Sequence, residues 1–175
     1  MALDRSIYLI GYRGTGKSTV ARCLADRFGC EPVDSDELAE RRGYRTIAEI
    51  FAEEGEQAFR QLEQQVVGEL AAGPARVVAL GGGAVLREAN REAIAQGHIV
   101  WLTATPETLA ERLKRDELAG ARRPSLTSDG LLQEIAKVLA DRTPLYKACA
   151  TLVVDTEHRT PQQVADEVYA KVAGK

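Results

Sequence analysis

The residues with the clearest chemical potential form the segment Gly11-Tyr-Arg-Gly-Thr-Gly-Lys-Ser18. It fits the pattern Gly-x-x-x-x-Gly-Lys-Ser/Thr, which is typical of loops that hold the phosphates of a nucleoside triphosphate. The glycines let backbone N–H groups approach phosphate oxygens, and the N-terminus of the following helix favours negative charge. In such a loop Lys17 reaches the β- and γ-phosphates and the Ser18 hydroxyl holds Mg²⁺.

Two other nucleotide sites fit these residues less well. A dinucleotide-binding loop would have a glycine where Thr19 stands, although Asp34 follows at about the distance of a ribose-binding acid. A GTPase would need an Asn-Lys-x-Asp motif, and the sole asparagine, Asn90, begins Asn-Arg-Glu-Ala. The loop therefore predicts a mononucleotide triphosphate site, and the structural alternative is a glycine turn with an incidental lysine.

Two carboxylates, Asp34 and Asp36, follow a predicted strand at the edge where open α/β sheets bind ligands. Phosphoryl transfer needs an oriented acceptor hydroxyl, a group that takes its proton, and cations that absorb charge. We expect one carboxylate to hold Mg²⁺ through water and the other to face the acceptor. The alternative is a cap for a helix from Glu37, a role that fits Asp36.

A glycine triplet and an arginine are candidates for binding an anionic substrate. Gly81-Gly82-Gly83 closes a predicted strand and either presents consecutive backbone donors to the substrate or forms a plain turn. Arg60 lies three residues before Glu63. The two side chains form either a surface ion pair or a pair in which the acid directs the guanidinium toward a substrate carboxylate.

Charged residues crowd the stretch from Arg115 to Asp129, which we expect to be a long mobile loop. An arginine delivered to a transferring phosphoryl group raises the rate by about 10³–10⁵, whereas an exposed ion pair contributes at most about 1 kcal/mol. We therefore expect a lid in which Arg123, held extended by Pro124, reaches the phosphates. Arg142 is expected just past the end of a helix over residues 131–140.

Apolar runs alternate with helical patterns along the whole chain. Strands are predicted at residues 6–10, 31–33, 77–80, 99–102 and 151–154. Helices are predicted at residues 17–28, 37–70 with breaks at Gly43 and Gly55, 88–95, 106–114, 131–140 and from 161. The last helix has Thr160 as its N-cap and Gln163 at the capping-box position. This alternation predicts an α/β fold with a five-stranded parallel sheet flanked by helices.

Composition limits the remaining possibilities. The length of 175 residues suits one domain, and a net charge of −3 argues against the broad positive field of a nucleic-acid-binding protein. The 3 cysteines are an odd number without metal-ligand spacing, and the longest apolar run falls far short of the ~20 residues of a membrane span. We expect a cytoplasmic monomer that binds neither nucleic acid nor membranes.

The order and spacing of these residues resemble shikimate kinase across nearly the whole chain. The matching motifs are Gly11-x-x-Gly14-x-Gly16-Lys17-Ser18-Thr19, Asp34-x-Asp36, Phe59-Arg60, Glu63, Gly81-Gly82-Gly83, Arg123-Pro124 and Arg142-x-Pro-Leu-Tyr146. The resemblance implies one nucleoside-monophosphate-kinase-like domain, with a helical substrate-binding insertion at about 35–70 and a lid at about 115–129. It also implies transfer of the ATP γ-phosphate to the 3-hydroxyl of shikimate, a step of aromatic amino-acid biosynthesis.

The resemblance further implies a role for each matching residue. The implied catalytic residues are Asp36, which takes the acceptor proton, Lys17 and Arg123. The residues implied to bind ATP are Gly14, Thr15, Gly16, Lys17, Ser18, Thr19, Arg115, Arg123 and Arg159. Those implied to bind shikimate are Asp36, Arg60, Gly81, Gly82, Gly83 and Arg142, with the arginines on its carboxylate. Ser18 and Asp34 are implied to hold Mg²⁺.

One segment departs from the family pattern. The family's lid commonly reads Arg-Pro-Leu-Leu, whereas this chain has Arg122-Arg123-Pro124-Ser125, so Arg122 competes with Arg123 for the phosphate contact. Two rival functions remain open to the sequence. One is a kinase of the same type for another small acid or polyol such as gluconate, and the other is a nucleotide-binding regulatory module without turnover.

Overall fold

The computed structural model describes residues 3–118 and 128–174. Its strands are β1 (Ile7–Ile10), β2 (Pro32–Asp34), β3 (Val77–Ala79), β4 (His98–Thr103) and β5 (Leu152–Asp155). They form one five-stranded sheet in the order β2-β3-β1-β4-β5, and every neighbouring pair is parallel. The predicted five-stranded parallel sheet is confirmed. Because β1 lies between β3 and β4, the loop that follows it opens at the point where the strand order reverses, where such sheets bind ligands.

Helices connect the strands. They are α1 (Lys17–Phe28), α2 (Ser35–Gly43), α3 (Ile47–Ala72), α4 (Glu88–Ile94), α5 (Pro106–Leu118), α6 (Ser128–Cys149) and α7 (Pro161–Ala173), with a 3₁₀ turn over Ala84–Leu86. In the described ranges, none of these helices is long and apolar enough to cross a membrane.

Local sequence signals account for several helix boundaries. Thr160 caps α7 through a capping box with Gln163, as its sequence predicts. A second capping box, between Thr46 and Glu49, starts α3. Inside α3, Gly55 has a φ of 83°, which interrupts the helical backbone at the predicted break. The chain between β2 and β3 is therefore two successive helices, the second of them kinked.

The core lies on both faces of the sheet, because successive strand side chains point to opposite sides. Tyr8 and Ile10 pack against residues of α2, α3, α4 and α6. Ile7 and Leu9 pack against residues of α1 and α7 on the other face. A third apolar cluster joins Tyr12, in the loop after β1, to α5 and α6. This last cluster fixes the phosphate-binding loop to the helices that flank the site.

The structure corrects the helix predicted at 131–140. Helix α6 continues through Pro144 to Cys149, so Arg142 lies inside it and not past its end. A proline in a helix removes one backbone hydrogen bond and disfavours the helical conformation of the residue before it. Burial of Ile135 before the proline and Tyr146 after it accounts for the continued helix, because both side chains pack in the core.

The predicted long loop at 115–129 is also partly wrong. Helix α5 extends through residue 118 and α6 begins at residue 128, so both ends of that stretch are helical. The segment Arg115-Asp-Glu-Leu118 continues α5, since arginine, glutamate and leucine are among the better helix formers. The remaining residues, 119–127, lie outside the described ranges, and with them the predicted phosphate-reaching Arg123, its competitor Arg122, and Pro124.

Candidate active site

The loop between β1 and α1 presents backbone N–H groups to a cavity. Gly14 and Gly16 have φ values of 83° and 89°, a left-handed conformation that favours glycine. Gly16 is the N-cap of α1, and no side chain among the described residues caps this helix. Thr15 is buried, and its hydroxyl donates to the carbonyl of Tyr12 at 2.8 Å. The first N–H groups of α1 are therefore left for an anionic ligand.

Lys17 extends along the same loop. Its Nζ donates to the carbonyl oxygens of Gly11 at 2.8 Å and Tyr12 at 2.9 Å. Desolvation of the ammonium lowers the pKa of Lys17 to about 8, while the nearby carboxylates of Asp36 and Asp34 partly oppose this shift. The cation thus stands in surroundings where a phosphate group would stabilise its charged form.

Asp34 links α1 to α2. The Ser18 hydroxyl donates to Asp34 Oδ2 at 2.6 Å. The other oxygen, Oδ1, accepts from the backbone N–H groups of Asp36 at 2.9 Å and Glu37 at 3.4 Å, so that Asp34 is the N-cap of α2. The alternative in which Asp36 caps this helix is wrong. The cap has extended backbone angles just before the first helical residue, and Asp34 occupies that position.

The loop lines a cavity of about 510 Å³. Of the residues expected to bind ATP, those lining it are Gly14, Thr15, Gly16, Lys17, Ser18, Thr19 and Arg159. Arg115 does not line it, because its guanidinium pairs with Glu111 on the outer face of α5. Arg112, which no sequence motif singles out, lines the cavity and donates to the Oγ1 of Thr156 at 2.9 Å and to its carbonyl at 2.8 Å.

A second cavity, of about 380 Å³, adjoins the first. All the residues expected to bind shikimate line it, namely Asp36, Arg60, Gly81, Gly82, Gly83 and Arg142. The cavity is also lined by Phe59 and Glu63 of the family motif. Sequence reasoning missed the remaining lining residues, which are Tyr12, Arg13, Ile47, Phe51, Glu134 and Val138. Both cavities share Arg13, Asp36, Gly81 and Gly82, so the acceptor side opens onto the phosphate side.

Arg60 is held at the second cavity by a buried acid. Its Nη1 donates to Glu63 Oε2 at 2.9 Å, one turn along α3, and the Glu63 side chain is only 2% exposed. Burial raises the pKa of Glu63, although the Arg60 guanidinium opposes the rise. Burial by itself would lower the pKa of Arg60, and the carboxylates of Glu63 and Glu56 raise it overall. This pair is therefore not a surface ion pair, and it directs a guanidinium into the cavity.

The glycine triplet has a different role from the expected row of three donors. The N–H of Gly81 already donates to the Ser35 hydroxyl at 2.9 Å, so it is not available to a ligand. A Cβ at Gly81 would overlap Asp36 Oδ1, and a Cβ at Gly83 would lie 2.5 Å from Arg60 Nη1. The triplet thus lets two charged side chains approach the backbone closely.

Arg142 and Tyr146 reach the same carbonyl from one face of α6. Arg142 Nη1 donates to the Gly82 oxygen at 3.0 Å, and the Tyr146 hydroxyl donates to it at 2.6 Å. Tyr146 is buried and stacks on Trp101, with ring centroids 5.7 Å apart. The sequence motif contains this tyrosine but indicates no role for it, since its contact depends on the fold of a distant loop.

Comparison with known proteins agrees with this geometry. The family model described as shikimate kinase matches residues 13–173. The shikimate kinase of Rhodopirellula baltica is 46% identical over 163 residues, which cover 93% of this chain and 87% of that protein. That of Symbiobacterium thermophilum is 44% identical over 168 residues, or 95% of each chain.

A solved structure extends the similarity to three dimensions. The shikimate kinase of Acinetobacter baumannii in complex with shikimate has a TM-score of 0.88 and 36% identity, covering 97% of this chain and 93% of that one. The match of residues 13–173 to the family model, the relatives and this structure all point to the same family. The chain therefore belongs to the shikimate kinase family.

Proposed function

We propose that this chain is an ATP-dependent shikimate kinase that transfers the γ-phosphoryl group of ATP to the 3-hydroxyl of shikimate. The products are shikimate 3-phosphate and ADP, in the pathway to aromatic amino acids. One observation carries the proposal. A phosphate-binding loop and an arginine-lined cavity share Asp36 at their boundary, so a donor phosphate and an acceptor alcohol can meet beside a carboxylate.

Asp36 is the proposed base. The acceptor oxygen attacks the γ-phosphorus while its proton passes to a carboxylate oxygen of Asp36. The bond between the γ-phosphorus and the bridging oxygen breaks, and its electron pair stays on that oxygen of ADP. Lys17, near Asp36 and on the phosphate side, absorbs developing negative charge.

Arg60 and Arg142 are the proposed ligands of the substrate carboxylate. Both guanidinium groups line the acceptor cavity, and each is held by another part of the chain, one by Glu63 and the other by the Gly82 carbonyl. A guanidinium binds a carboxylate through two parallel hydrogen bonds, which also orients it. Fixing the carboxylate in this way places a ring hydroxyl of the substrate toward Asp36.

Ser18 and Asp34 fit a magnesium ion, because they offer hydroxyl and carboxylate oxygens 2.6 Å apart at the wall of the nucleotide cavity. Mg²⁺ keeps several waters and binds phosphate oxygens, so one or two protein oxygens suffice. Within residues 3–118 and 128–174 there is no group of three or more metal-binding side chains that would suggest a larger protein cage. When bound, the ion would neutralise charge on the phosphates.

Other parts of the proposal rest on sequence and on the family pattern. Arg123 is the proposed lid residue that reaches the ATP phosphates, within a lid at about 115–129. The helical segment at about 35–70 is the proposed substrate-binding insertion. Arg115 and Arg159 are proposed to flank the adenine, with Arg159 alone of the two lining the cavity. The proposed compartment is the cytoplasm, in keeping with three free cysteines.

An acceptor panel tests the proposed function. ADP release is measured in steady state with ATP and Mg²⁺ and with shikimate, quinate, gluconate or a nucleoside monophosphate as the acceptor. We expect the highest kcat/KM with shikimate. Equal or higher kcat/KM with another acceptor would move the assignment to that substrate. The absence of phosphoryl transfer even in a single turnover would instead indicate a regulatory module.

A further inference from the structure

Arg13 lies at the boundary between the two cavities. It is the second residue after Gly11 in the phosphate-binding loop, and it lines both the nucleotide cavity and the acceptor cavity. Among the arginines of residues 3–118 and 128–174 it is the only one that does so. Arg60 and Arg142 line the acceptor cavity alone, and Arg112 and Arg159 line the nucleotide cavity alone.

The two cavities share three further residues, which are Asp36, Gly81 and Gly82. Asp36 is the proposed base of the acceptor hydroxyl, and Gly81 lets its carboxylate lie against the backbone. A phosphoryl group moving from the loop to the hydroxyl must cross here, with three oxygens that carry negative charge. The only cationic side chain of the described chain that lines both compartments is that of Arg13.

The contacts of Arg13 leave its guanidinium able to turn. Among the carboxylates that the structure describes, the closest to it is that of Glu134 in α6, at 3.7 Å, which is longer than a hydrogen bond. Its Cζ lies 5.9 Å from the ring centre of Tyr12. The side chain is 35% exposed, whereas Arg60 is 14% exposed and hydrogen-bonded to a buried acid. The Arg60 guanidinium is thus held in one position by its hydrogen bond to Glu63, whereas the Arg13 guanidinium is less tightly held.

We propose that Arg13 is a further catalytic residue, whose guanidinium leaves Glu134 and contacts the phosphoryl group as it passes from ATP to the acceptor and afterwards the phosphate of the product. This inference rests on the proposed kinase function. As the bond to the ADP bridging oxygen breaks and the bond to the acceptor oxygen forms, the equatorial oxygens keep their charge, and the planar guanidinium hydrogen-bonds two of them. The acceptor proton still goes to Asp36, and Arg13 neither gains nor loses a proton.

The test compares Arg13→Met with wild type and with Arg5→Met, an exposed arginine at the other end of β1. The rate of phosphoryl transfer is measured in a single turnover with ATP, Mg²⁺ and shikimate. Loss of one preorganised donor slows a reaction by about 10²–10³, and we expect about a 10²-fold loss in Arg13→Met and none in Arg5→Met. Inhibition by shikimate 3-phosphate should weaken about tenfold, because the product phosphate loses a partner.

A further variant separates contact from structure. Arg13→Lys keeps the charge without the fork, so its rate should lie between those of wild type and Arg13→Met, and it serves if the methionine variant does not fold.

Two outcomes would overturn the inference. The first is an Arg13→Met transfer rate within twofold of wild type. The second is a loss confined to ADP affinity or to the KM for shikimate, which would make Arg13 an anchor of one ligand. If wild type and Arg5→Met do not phosphorylate shikimate at all, the proposed function fails and not this inference alone.

Discussion

Asp36 lies at the boundary of the two cavities and Lys17 lines the nucleotide cavity, and the charge of the carboxylate acts on the ammonium group. The Asp36 carboxylate raises the pKa of Lys17 against the larger effect of desolvation, which brings it to about 8. A bound phosphate stabilises the charged form of this desolvated lysine more than that of an exposed lysine, because the phosphate replaces the lost solvation. The charge state of Lys17 thus depends on desolvation, on the carboxylates of Asp34 and Asp36, and on the neighbouring guanidinium group of Arg142.

Asp36→Asn removes the proposed base while it keeps the size of the side chain. We expect kcat with saturating shikimate to fall by about 10²–10⁴, the usual contribution of a general base. Steady-state ADP release measures it, and Asp26→Asn on the exposed side of α1 is the matched control. A kcat near that of wild type would show that another group takes the proton.

The lowered pKa of Lys17 predicts that nucleotide binding depends on pH. Its lowered pKa means that part of the population is neutral near pH 8, and bound phosphate favours the charged form. Binding of ADP at pH 8.5 should therefore take up protons, and ADP affinity should fall as the pH rises above about 8. Calorimetry in two buffers of different ionisation enthalpy measures the uptake. The exposed-lysine variant Lys171→Met should behave as wild type does, and no uptake in either protein would contradict the assignment.

At the scale of elements, the ends of β2 and β3 and the middle of α3 and α6 converge on the acceptor cavity. Asp36 lies in the first turn of α2, after β2, while the glycine triplet follows β3. Arg60 comes from α3 after its kink, and Arg142 from α6 before Pro144. The close approach of these elements depends on positions without a Cβ.

Gly81→Ala should act through this close approach. The new methyl would overlap Asp36 Oδ1, so we expect kcat to fall at least tenfold, because displacement of a catalytic group by about 1 Å costs up to 10²-fold. Gly68→Ala is the control, since nothing lies within 4 Å of a Cβ there. That change, inside α3, should leave kcat unaltered and raise the free energy of unfolding by about 0.5–1 kcal/mol. Equal activity of both variants would rule out this account of the triplet.

Tyr146→Phe tests the link between α6 and the glycine triplet. Without the phenol, the Gly82 carbonyl keeps only the Arg142 hydrogen bond, so the arginine is more firmly engaged there and the loop is less well fixed. We expect the KM for shikimate to rise about five- to tenfold, as for loss of one buried hydrogen bond, with the KM for ATP within twofold. Tyr8→Phe is the matched buried control, at the first half of β1. A similar change in both KM values would indicate a general loss of stability.

At the scale of the whole molecule, the residues of both cavities gather at one edge of the sheet. Both cavities open beyond the carboxyl ends of the strands, beside the central β1, where parallel sheets bind ligands. The large apolar side chains that are exposed in the described chain belong to different elements: Tyr44, Phe51, Leu86 and Val153. Single exposed apolar residues of this kind are ordinary on monomers.

We therefore predict a monomer. Sedimentation velocity should give a species of about 19.0 kDa whose sedimentation coefficient does not change with protein concentration. Addition of shikimate and ADP should leave the mass of the species unaltered apart from the ligands. A species of twice that mass at micromolar concentration would contradict the prediction.

Local patterns in the sequence were enough for the phosphate-binding loop, the break at Gly55 and the capping box at Thr160, because each depends on neighbouring residues alone. The parallel sheet followed from the alternation of apolar runs and helical patterns. The end of α6 was mispredicted, since Pro144 is a strong local breaker and the buried contacts that outweigh it are distant in sequence.

The sequence alone thus determined which residue types meet a nucleotide and which strands and helices carry them. Only the tertiary structure decided that Asp34 and not Asp36 caps α2, that the Gly81 N–H is already bonded to Ser35, and that Arg13 stands between two cavities. The physical reason is that caps and turns arise from contacts a few residues apart. Cavities and shared hydrogen-bond acceptors, in contrast, form only when segments that are distant in the sequence pack together in the folded chain.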